Sequence, residues 1–533
     1  MHQSRSYHLP VLIIVILFIS FFRLGSFTLF DVDEAVFSEA TKEMVHNDNW
    51  LTPTYNGENR YDKPILFYWL MALSYKTFGI NEFGARFPSA MAGGLLCIMV
   101  YFFMRSAGDD QRAFYAVISL LLSLYFVAYS HAAVTDMTLS LFITFSILSF
   151  YLSLKDGPRK DLFLYNFYIF SSLAFLTKGL IGIVFPFGIV MIYMFMTERL
   201  SGIKRIFSPI GTILFLIVSA PWYLAEFSVN GQEFIDQFFI KHHFMRYTGV
   251  ISGHEGPFYF YIPALLIGLM PWVIFLPSGI LNVIKIFRGE RLSSGGVKGT
   301  VTVKHSPELL ALIWLSFILL FFSFSTTKLP NYILPAVPAA AILIASGMSS
   351  QSLRWTRYTS GLISFVSLLL GIAFLISGRY LEKIGITDTQ WTFAASAIMF
   401  GGVGLNFYAA VRKKGFYEYG ALLMMSFLVV VSLKVLPVAS QYLQGALYKF
   451  SIYARDNLAN DKKLVVYKIN KPSIVFYSDH AIAGIESMDQ LLDFMRSGEG
   501  MLVITKESET GALEKEGFRL IEKDRFYALL ERK

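Results

Sequence analysis

Long apolar runs, separated by short polar segments, repeat along most of this chain. A helix that crosses a bilayer needs about 20 mostly apolar residues. By that measure we expect about thirteen spans, centred near residues 19, 93, 122, 145, 170, 188, 217, 270, 316, 340, 367, 401 and 428. The first run, from Leu9 to about Phe22, is interpreted as a retained span, because no small-residue cleavage site follows it. The pattern predicts an all-α polytopic membrane domain over residues 1–437.

The pattern changes after residue 437. Short apolar runs at 464–467, 474–477 and 501–504 predict strands, 488–496 and 507–516 predict helices, and 518–530 predicts one or two final strands. We therefore expect residues 438–533 to form a small α/β domain that rests on the membrane part. The chain has one cysteine, Cys97, so no intrachain disulfide can staple this domain.

Composition and charge support this interpretation. Hydrophobic residues make up 55% of the chain and charged residues only 16%, too few to cover a soluble surface. The net charge is +8, and the cations concentrate in alternate loops near residues 105–112, 155–160, 199–205, 285–304, 354–357 and 412–414. The positive-inside rule places these loops and the N-terminus in the cytoplasm, and an odd number of spans then puts the C-terminus outside. The basic balance therefore reflects topology, and nucleic-acid binding is excluded.

Two loops on the expected outer side are too long to be simple connectors, at about 28–81 and about 227–257. The first contains Asp33 and Glu34, directly after the first span, and later Asp62 and Lys63 before an aromatic-rich amphipathic run at 65–78. Asp33 suits either a helix cap or a carboxylate that faces a polar cavity. Lys63 suits either an interfacial cation or an anion clamp. The run at 65–78 predicts an interfacial helix.

Further polar candidates lie at other outer turns. Asp136 and Lys178 each adjoin a span end, and Lys328 and Tyr332 precede a span rich in proline. The second long loop places His243 and Arg246 three residues apart, so both can share one helix face. Each residue also has a plain structural interpretation, as a cap, a solvated loop residue or an interfacial aromatic. Together they favour an anionic lipid-linked substrate, and they also suit a transporter vestibule.

Several of these segments resemble one family. They are Asp33-Glu34-Ala35, Tyr61-Asp62-Lys63-Pro64 with Tyr68-Trp69-Leu70, the segment 83–88, Thr135-Asp136-Met137, Leu176-Thr177-Lys178-Gly179, the segment 243–247 and the segment 328–335. The chain resembles the GT-C glycosyltransferases that depend on polyprenyl phosphate. The branch is similar to the 4-amino-4-deoxy-L-arabinose lipid A transferases, relatives of the protein O-mannosyltransferases.

The resemblance implies roles for particular residues. Asp33 and Asp136 would be catalytic carboxylates, and Lys63, Arg246 and Tyr332 would hold the lipid phosphate, with Glu34, Lys178 and Lys328 as further candidates. In the family, a glutamate before the lysine can join a histidine at a divalent metal; here Asp62 is one methylene shorter, with His243 as the matching histidine. No cofactor is otherwise implied.

The implied function is transfer of a sugar from undecaprenyl phosphate, with inversion, to lipid A or a related periplasmic acceptor. The expected location is the bacterial inner membrane, among membrane lipids. Three alternatives stay open: transfer of a hexose or hexosamine to protein or another glycan, lipid transport, and a non-catalytic scaffold that binds polyprenyl phosphate. Transport predicts paired halves with interrupted spans at matching positions, which the sequence does not display.

Overall fold

The computed structural model describes residues 8–107, 110–197, 203–245, 255–287, 306–350, 353–386, 388–412, 416–459, 462–496 and 500–532. Helices dominate the chain as far as residue 457. They are α1 (His8–Phe21), α2 (Asp33–His46), α3 (Leu66–Phe78), α4 (Glu82–Ser106), α5 (Asp110–Leu121), α6 (Leu124–Ser130), α7 (Asp136–Ser153), α8 (Lys160–Lys178), α9 (Ile181–Met196), α10 (Ile203–Ile206), α11 (Pro209–Phe234), α12 (Tyr261–Gly268), α13 (Leu276–Phe287), α14 (Pro307–Phe324), α15 (Val337–Ser349), α16 (Leu353–Lys383), α17 (Trp391–Arg412), α18 (Phe416–Val430) and α19 (Leu436–Asn457).

The chain is a multi-pass membrane protein. Among the described residues, seven helices are long and apolar enough to cross a bilayer, and two bent pairs raise the number to nine. The bent pairs are α5 with α6, and α12 with Trp272–Lys285. Each of the predicted centres falls on a helix or at the break of a bent pair. The expected total of about thirteen spans stays a prediction.

The membrane helices pack through apolar side chains, with Trp314 and Ile318 of α14 and most of α15 completely buried. The segment 275–287, which contains α13, approaches α15 closely at two glycines. At Gly279 an added Cβ would collide with the Leu343 carbonyl, and at Gly347 with the Phe275 carbonyl. Small residues at such crossings let backbones approach closely.

The first long loop is an ordered structure. It contains α2, a two-stranded antiparallel hairpin of β1 (Thr54–Tyr55) and β2 (Glu58–Asn59), and α3. The predicted amphipathic helix over 65–78 is confirmed as α3, which buries Phe67, Tyr68 and Met71 in an apolar cluster with α2. The same cluster includes Leu176 and Trp222 of the membrane helices and Phe476 of the C-terminal region, so the loop is packed against both.

The C-terminal region is an α/β unit, as expected. Its remaining elements are β3 (Lys462–Tyr467), α20 (Ser473–Ser478), β4 (Ile482–Ile485), α21 (Met488–Met495), β5 (Gly500–Lys506), α22 (Thr510–Lys515), β6 (Arg519–Asp524) and β7 (Tyr527–Arg532). The sheet order is β4-β3-β5-β7-β6, with β3 parallel to β4 and β5, and β7 antiparallel to β5 and β6. Helices α19 and α20 cover one face, and α21 and α22 the other. Since both faces are covered, the central strands are continuous apolar runs.

One predicted strand is wrong. Residues 474–477 belong to the helix α20, and the strand beside β3 is β4, eight residues further on. A short buried apolar run does not distinguish the two structures by periodicity. Here every side chain of α20 is buried between the sheet and the first long loop, and Pro472 precedes the helix at its N-cap.

We call the contacts of residues 473–482 with the first long loop, and with Glu82 directly after it, the docking seam. The Ser473 backbone N–H and hydroxyl both donate to Asp31, at 2.8 Å each. The Tyr477 hydroxyl accepts from the Leu29 N–H at 2.8 Å and donates to Glu82 at 2.9 Å. Further contacts are Lys42 with Asp479 at 2.7 Å, Lys42 with the Phe476 carbonyl at 3.0 Å, and a reciprocal pair of 2.9 Å hydrogen bonds between Asn56 and the Ile482 backbone. The C-terminal domain therefore rests on the first long loop.

Candidate functional site

A cavity of about 410 Å³ lies between the first long loop and the ends of several membrane helices. It collects residues that are far apart in the sequence. The first long loop contributes Asp33, Arg60, Asp62 and Lys63, which we call the loop wall. The helix ends contribute Asp136, Lys178, Asn331 and Tyr332, which we call the span wall. Carboxylates and cations are thus balanced, three of each, around one space.

The loop wall is organised by one arginine. The Arg60 guanidinium lies 2.7 Å from the Asp62 carboxylate, donates to the Tyr68 hydroxyl at 3.2 Å and covers the Phe37 ring. Burial disfavours its charge, but Tyr68 and Asp62 outweigh that penalty and raise the pKa of Arg60. Lys63 follows directly, with its ammonium on the Asp62 carbonyl at 3.0 Å. This wall therefore presents two cations at fixed positions.

Asp33 is the first residue of α2 and is exposed at the cavity. Val32 occupies the cap position, and no side-chain cap bond is made there. Among the described residues, none donates a hydrogen bond to the Asp33 carboxylate. The cap interpretation of Asp33 is therefore not supported, and the carboxylate faces the cavity.

The span wall is organised by one carboxylate. Asp136 begins α7 and is almost completely buried. It accepts from the Lys178 ammonium at 2.5 Å and from the Asn331 amide at 3.2 Å. Lys178 also lies 5.6 Å from the centre of the Tyr332 ring. Asp136 therefore holds Lys178 and Asn331 in place beside Tyr332.

The rest of the cavity is apolar. Its lining includes Leu180, Ile181 and Val184 at the start of α9, with Phe321 and Phe322 of α14. The space thus combines a charged end and an apolar side, as a phosphate on a hydrocarbon chain requires.

Two predicted candidates lie away from the cavity lining. Glu34 is buried in an ion pair with Arg86, at 2.7 Å and 3.0 Å, and also accepts from the Phe30 and Ala133 N–H groups. Lys328 is buried with its ammonium on the carbonyls of Phe322, Ser323 and Ser325 at the end of α14. Burial lowers the pKa of Lys328. Both residues have contacts that account for them structurally.

Arg246 and the side chain of His243 lie outside the described residues. The metal that the resemblance implies can therefore be examined only at Asp62. The Arg60 guanidinium lies 2.7 Å from that carboxylate, and a divalent cation at the same oxygens would meet its positive charge. The described residues contain no group of three or more His, Cys, Asp or Glu side chains that could hold a metal. The ion pair with Arg60 makes Asp62 an unfavourable metal ligand, and the metal that the resemblance implies stays a prediction.

Two cavity residues were missed by the sequence analysis. Arg60 lies three residues before Lys63, and Asn331 directly before Tyr332, so both stand within or beside segments already singled out. Their proximity to candidate phosphate-binding residues is a signal that could have identified them. The sequence alone did not distinguish either from an ordinary loop residue, because only the fold brings the two walls together.

Comparison with known proteins agrees with this picture. Residues 62–224 match the model of the family described as dolichyl-phosphate-mannose-protein mannosyltransferase. An uncharacterized protein of Aquifex aeolicus is 33% identical over 438 residues, which cover 81% of this chain and 79% of that protein. A protein of Aeromonas salmonicida named undecaprenyl phosphate-alpha-4-amino-4-deoxy-L-arabinose arabinosyl transferase is 29% identical over 389 residues, 71% of this chain and 67% of its own.

Solved structures share the fold. ArnT from Cupriavidus metallidurans bound to undecaprenyl phosphate has a TM-score of 0.81 at 20% identity, covering 98% of this chain and 97% of its own. Its apo structure has a TM-score of 0.82, with 99% and 98% covered. At this identity the likeness establishes the architecture of the whole chain, including the C-terminal unit.

Proposed function

Since the chain belongs to the GT-C family of polyprenyl-phosphate-dependent glycosyltransferases, we propose that it moves 4-amino-4-deoxy-L-arabinose from undecaprenyl phosphate to lipid A. The observation that carries the proposal is the cavity, in which charged groups and an apolar wall adjoin. An isoprenoid phosphate likewise has a charged phosphate at one end and an apolar chain. The relatives named for aminoarabinosyl transfer support the choice of sugar and carrier.

The reaction breaks the bond between the anomeric carbon and the undecaprenyl phosphate oxygen. An acceptor oxygen attacks from the opposite side, so the configuration inverts, and the electron pair of the broken bond stays on the leaving phosphate. Lys63, Tyr332 and Arg246 are proposed to hold that phosphate, and Lys178, oriented by Asp136, adds a further cation. Removing one preorganised contact of this kind typically costs about 3 kcal/mol of transition-state stabilisation.

Asp33 has two roles open to it. If the acceptor is a hydroxyl, the carboxylate takes its proton as a general base. If the acceptor is a lipid A phosphate, which is already ionised near neutral pH, no base is needed. Asp33 then positions the donor or the acceptor through its exposed oxygens. Both roles require the cavity-facing placement of this carboxylate.

We propose that the cavity faces the periplasm, with the N-terminus in the cytoplasm and the C-terminus outside. The support is the concentration of cations in alternate loops. The docking seam puts the C-terminal domain on the same face as the cavity, because both contact the first long loop. Cysteine labelling of intact cells at residue 533 and at an engineered site in 155–160 checks this orientation, with labelling expected at 533 only.

The function is tested with purified protein in detergent. Given undecaprenyl-phosphate-linked 4-amino-4-deoxy-L-arabinose and lipid A, the protein should release undecaprenyl phosphate and produce lipid A with the added mass of the sugar. Lipid A from a deletion strain should lack that mass. An unchanged spectrum, together with turnover of a hexose-linked donor onto protein or another glycan, would replace the proposed sugar and acceptor.

A further inference from the structure

Arg60 is a cavity residue to which neither the resemblance nor the reaction has yet given a role. Its side chain is 18% exposed, and the exposed part belongs to the lining of the cavity. It stands on the same wall as Asp33 and Lys63. In the sequence, Arg60 lies two residues before Asp62 and three before Lys63, in Arg60-Tyr61-Asp62-Lys63.

Three contacts immobilise the guanidinium. Asp62 holds one Nη at 2.7 Å, the Tyr68 hydroxyl accepts from Nε at 3.2 Å, and the Phe37 ring lies against the planar group at 5.7 Å. Tyr68 and Phe37 are themselves buried in the core of the first long loop. A guanidinium has five N–H donors. The contacts with Asp62 and Tyr68 use two of them, and the side chain lines the cavity.

An arginine held in this way has less conformational freedom to lose on binding than a solvated arginine. Its planar fork also matches two oxygens of a phosphate, and the resulting charge-assisted hydrogen bonds are stronger than neutral ones. The ligands of this cavity in the proposed reaction carry phosphate on the donor and, for lipid A, on the acceptor. The chemistry of Arg60 therefore matches the group that both ligands share.

We propose that Arg60 is a further phosphate-binding residue of the cavity, held in position by Asp62 and Tyr68. It occupies the place beside Asp62 where the resemblance would put a divalent metal. The proposal rests on the proposed function, because that function supplies the phosphate. In this proposal Asp62 is a positioning residue, because it holds the Arg60 guanidinium in place.

The test measures binding and turnover separately. Undecaprenyl phosphate binding to purified protein, without any sugar, is compared for wild type, Arg60→Gln and Arg60→Lys, and KM is measured for donor and acceptor. Arg60→Gln should weaken one of the two by about 10- to 100-fold, with partial recovery in Arg60→Lys. Weaker undecaprenyl phosphate binding assigns the contact to the donor phosphate. A raised KM for the acceptor alone assigns it to the acceptor phosphate.

The matched control is Arg525→Gln, since Arg525 is an exposed arginine that donates to the Gln441 carbonyl, and neither residue lines the cavity. It should change neither quantity. Thermal unfolding of each variant separates misfolding from lost binding, and Arg60→Lys keeps the test valid if Arg60→Gln unfolds. Removing divalent metal with a chelator should leave undecaprenyl phosphate binding unchanged.

The outcomes separate the two proposals. If Arg60→Gln folds, binds undecaprenyl phosphate as wild type does and keeps both KM values, the role of Arg60 is refuted and the proposed function stands. Loss of wild-type binding on chelation refutes the claim that Arg60 takes the place of a metal. A wild-type protein that neither binds undecaprenyl phosphate nor transfers sugar overturns both proposals.

Discussion

In both the cavity and the docking seam, charged groups of the first long loop lie against another part of the chain. The two regions differ in how many hydrogen bonds those groups accept from the protein. In the seam, the Asp31 carboxylate is 1% exposed and accepts two hydrogen bonds from Ser473. Two residues later, Asp33 is exposed at the cavity and accepts none from a described residue. The hydrogen bonds of Asp31 stabilise the folded chain. The Asp33 carboxylate makes no such bond to a described residue, so its oxygens stay available to a ligand.

The largest effect is expected from Asp33→Asn. Turnover should fall by about 10²- to 10⁴-fold if the carboxylate is a general base, and less if it only positions a ligand. The thermal midpoint should stay unchanged, because Asp33 makes no hydrogen bond to a described residue. Asp48→Asn, an exposed aspartate just after α2, is the matched control and should retain full turnover. Full turnover in Asp33→Asn would remove this residue from the mechanism.

The next effect tests whether the span wall resembles the seam. Lys178→Met leaves the buried Asp136 carboxylate with the Asn331 amide as its one side-chain partner among the described residues, which should cost about 3 kcal/mol of unfolding free energy as well as turnover. The double variant Asp136→Asn/Lys178→Met should recover most of the stability but not the turnover. Chemical denaturation measures the stability and the transfer assay measures the turnover. If the double variant recovers both, the Asp136–Lys178 pair has a purely structural role.

A pH effect follows from Glu39, close to the seam. Burial raises the pKa of Glu39 to about 7, against the opposing influence of Lys42. Glu43, Asp479, Tyr55 and Tyr75 are its other titratable neighbours. The folded state then binds the proton more tightly than the unfolded state. Unfolding free energy is greatest below the unfolded pKa of 4.5 and falls as the pH rises to about 7, by up to roughly 3 kcal/mol.

Glu39→Gln should remove that component. Its thermal midpoint should vary less between pH 4.5 and 7 than that of the wild type, with the two proteins measured in the same detergent. Glu58→Gln, an exposed change on β2, should retain the wild-type slope. Equal slopes in Glu39→Gln and wild type would show that Glu39 titrates normally in the folded protein.

The smallest effect is expected at the seam. Tyr477→Phe removes the hydroxyl that links the Leu29 N–H and Glu82, and should lower the unfolding free energy by about 1–2 kcal/mol. Turnover should stay within about twofold, because Tyr477 does not line the cavity. Tyr448→Phe, whose ring packs edge-on against Tyr477, is the control and should be silent. A large loss of turnover in Tyr477→Phe would mean that the seam also sets the geometry of Asp33.

The hydrophobic pattern of the sequence predicts secondary structure well where a segment's structure does not depend on its tertiary contacts. Apolar runs of sufficient length located the membrane helices, because a bilayer requires long apolar helices whatever their neighbours. The amphipathic run at 65–78 was recognised as a helix for a similar reason. At 474–477 the pattern failed, since four buried apolar residues suit a strand and a helix equally, and packing against the first long loop selected the helix.

The candidate site divides in the same way. Sequence alone selected Asp33, Lys63, Asp136 and Tyr332 through segments that resemble a family, and all four line the cavity. Only the tertiary structure separated Asp33 from its neighbour Glu34, which Arg86 takes into a buried ion pair. Only the tertiary structure brought Arg60 to Asp62 and Lys178 to Asp136 at the walls of one space. The physical reason is that a residue's type gives it a charge, while its burial and its partners determine whether that charge stabilises the fold or faces a ligand.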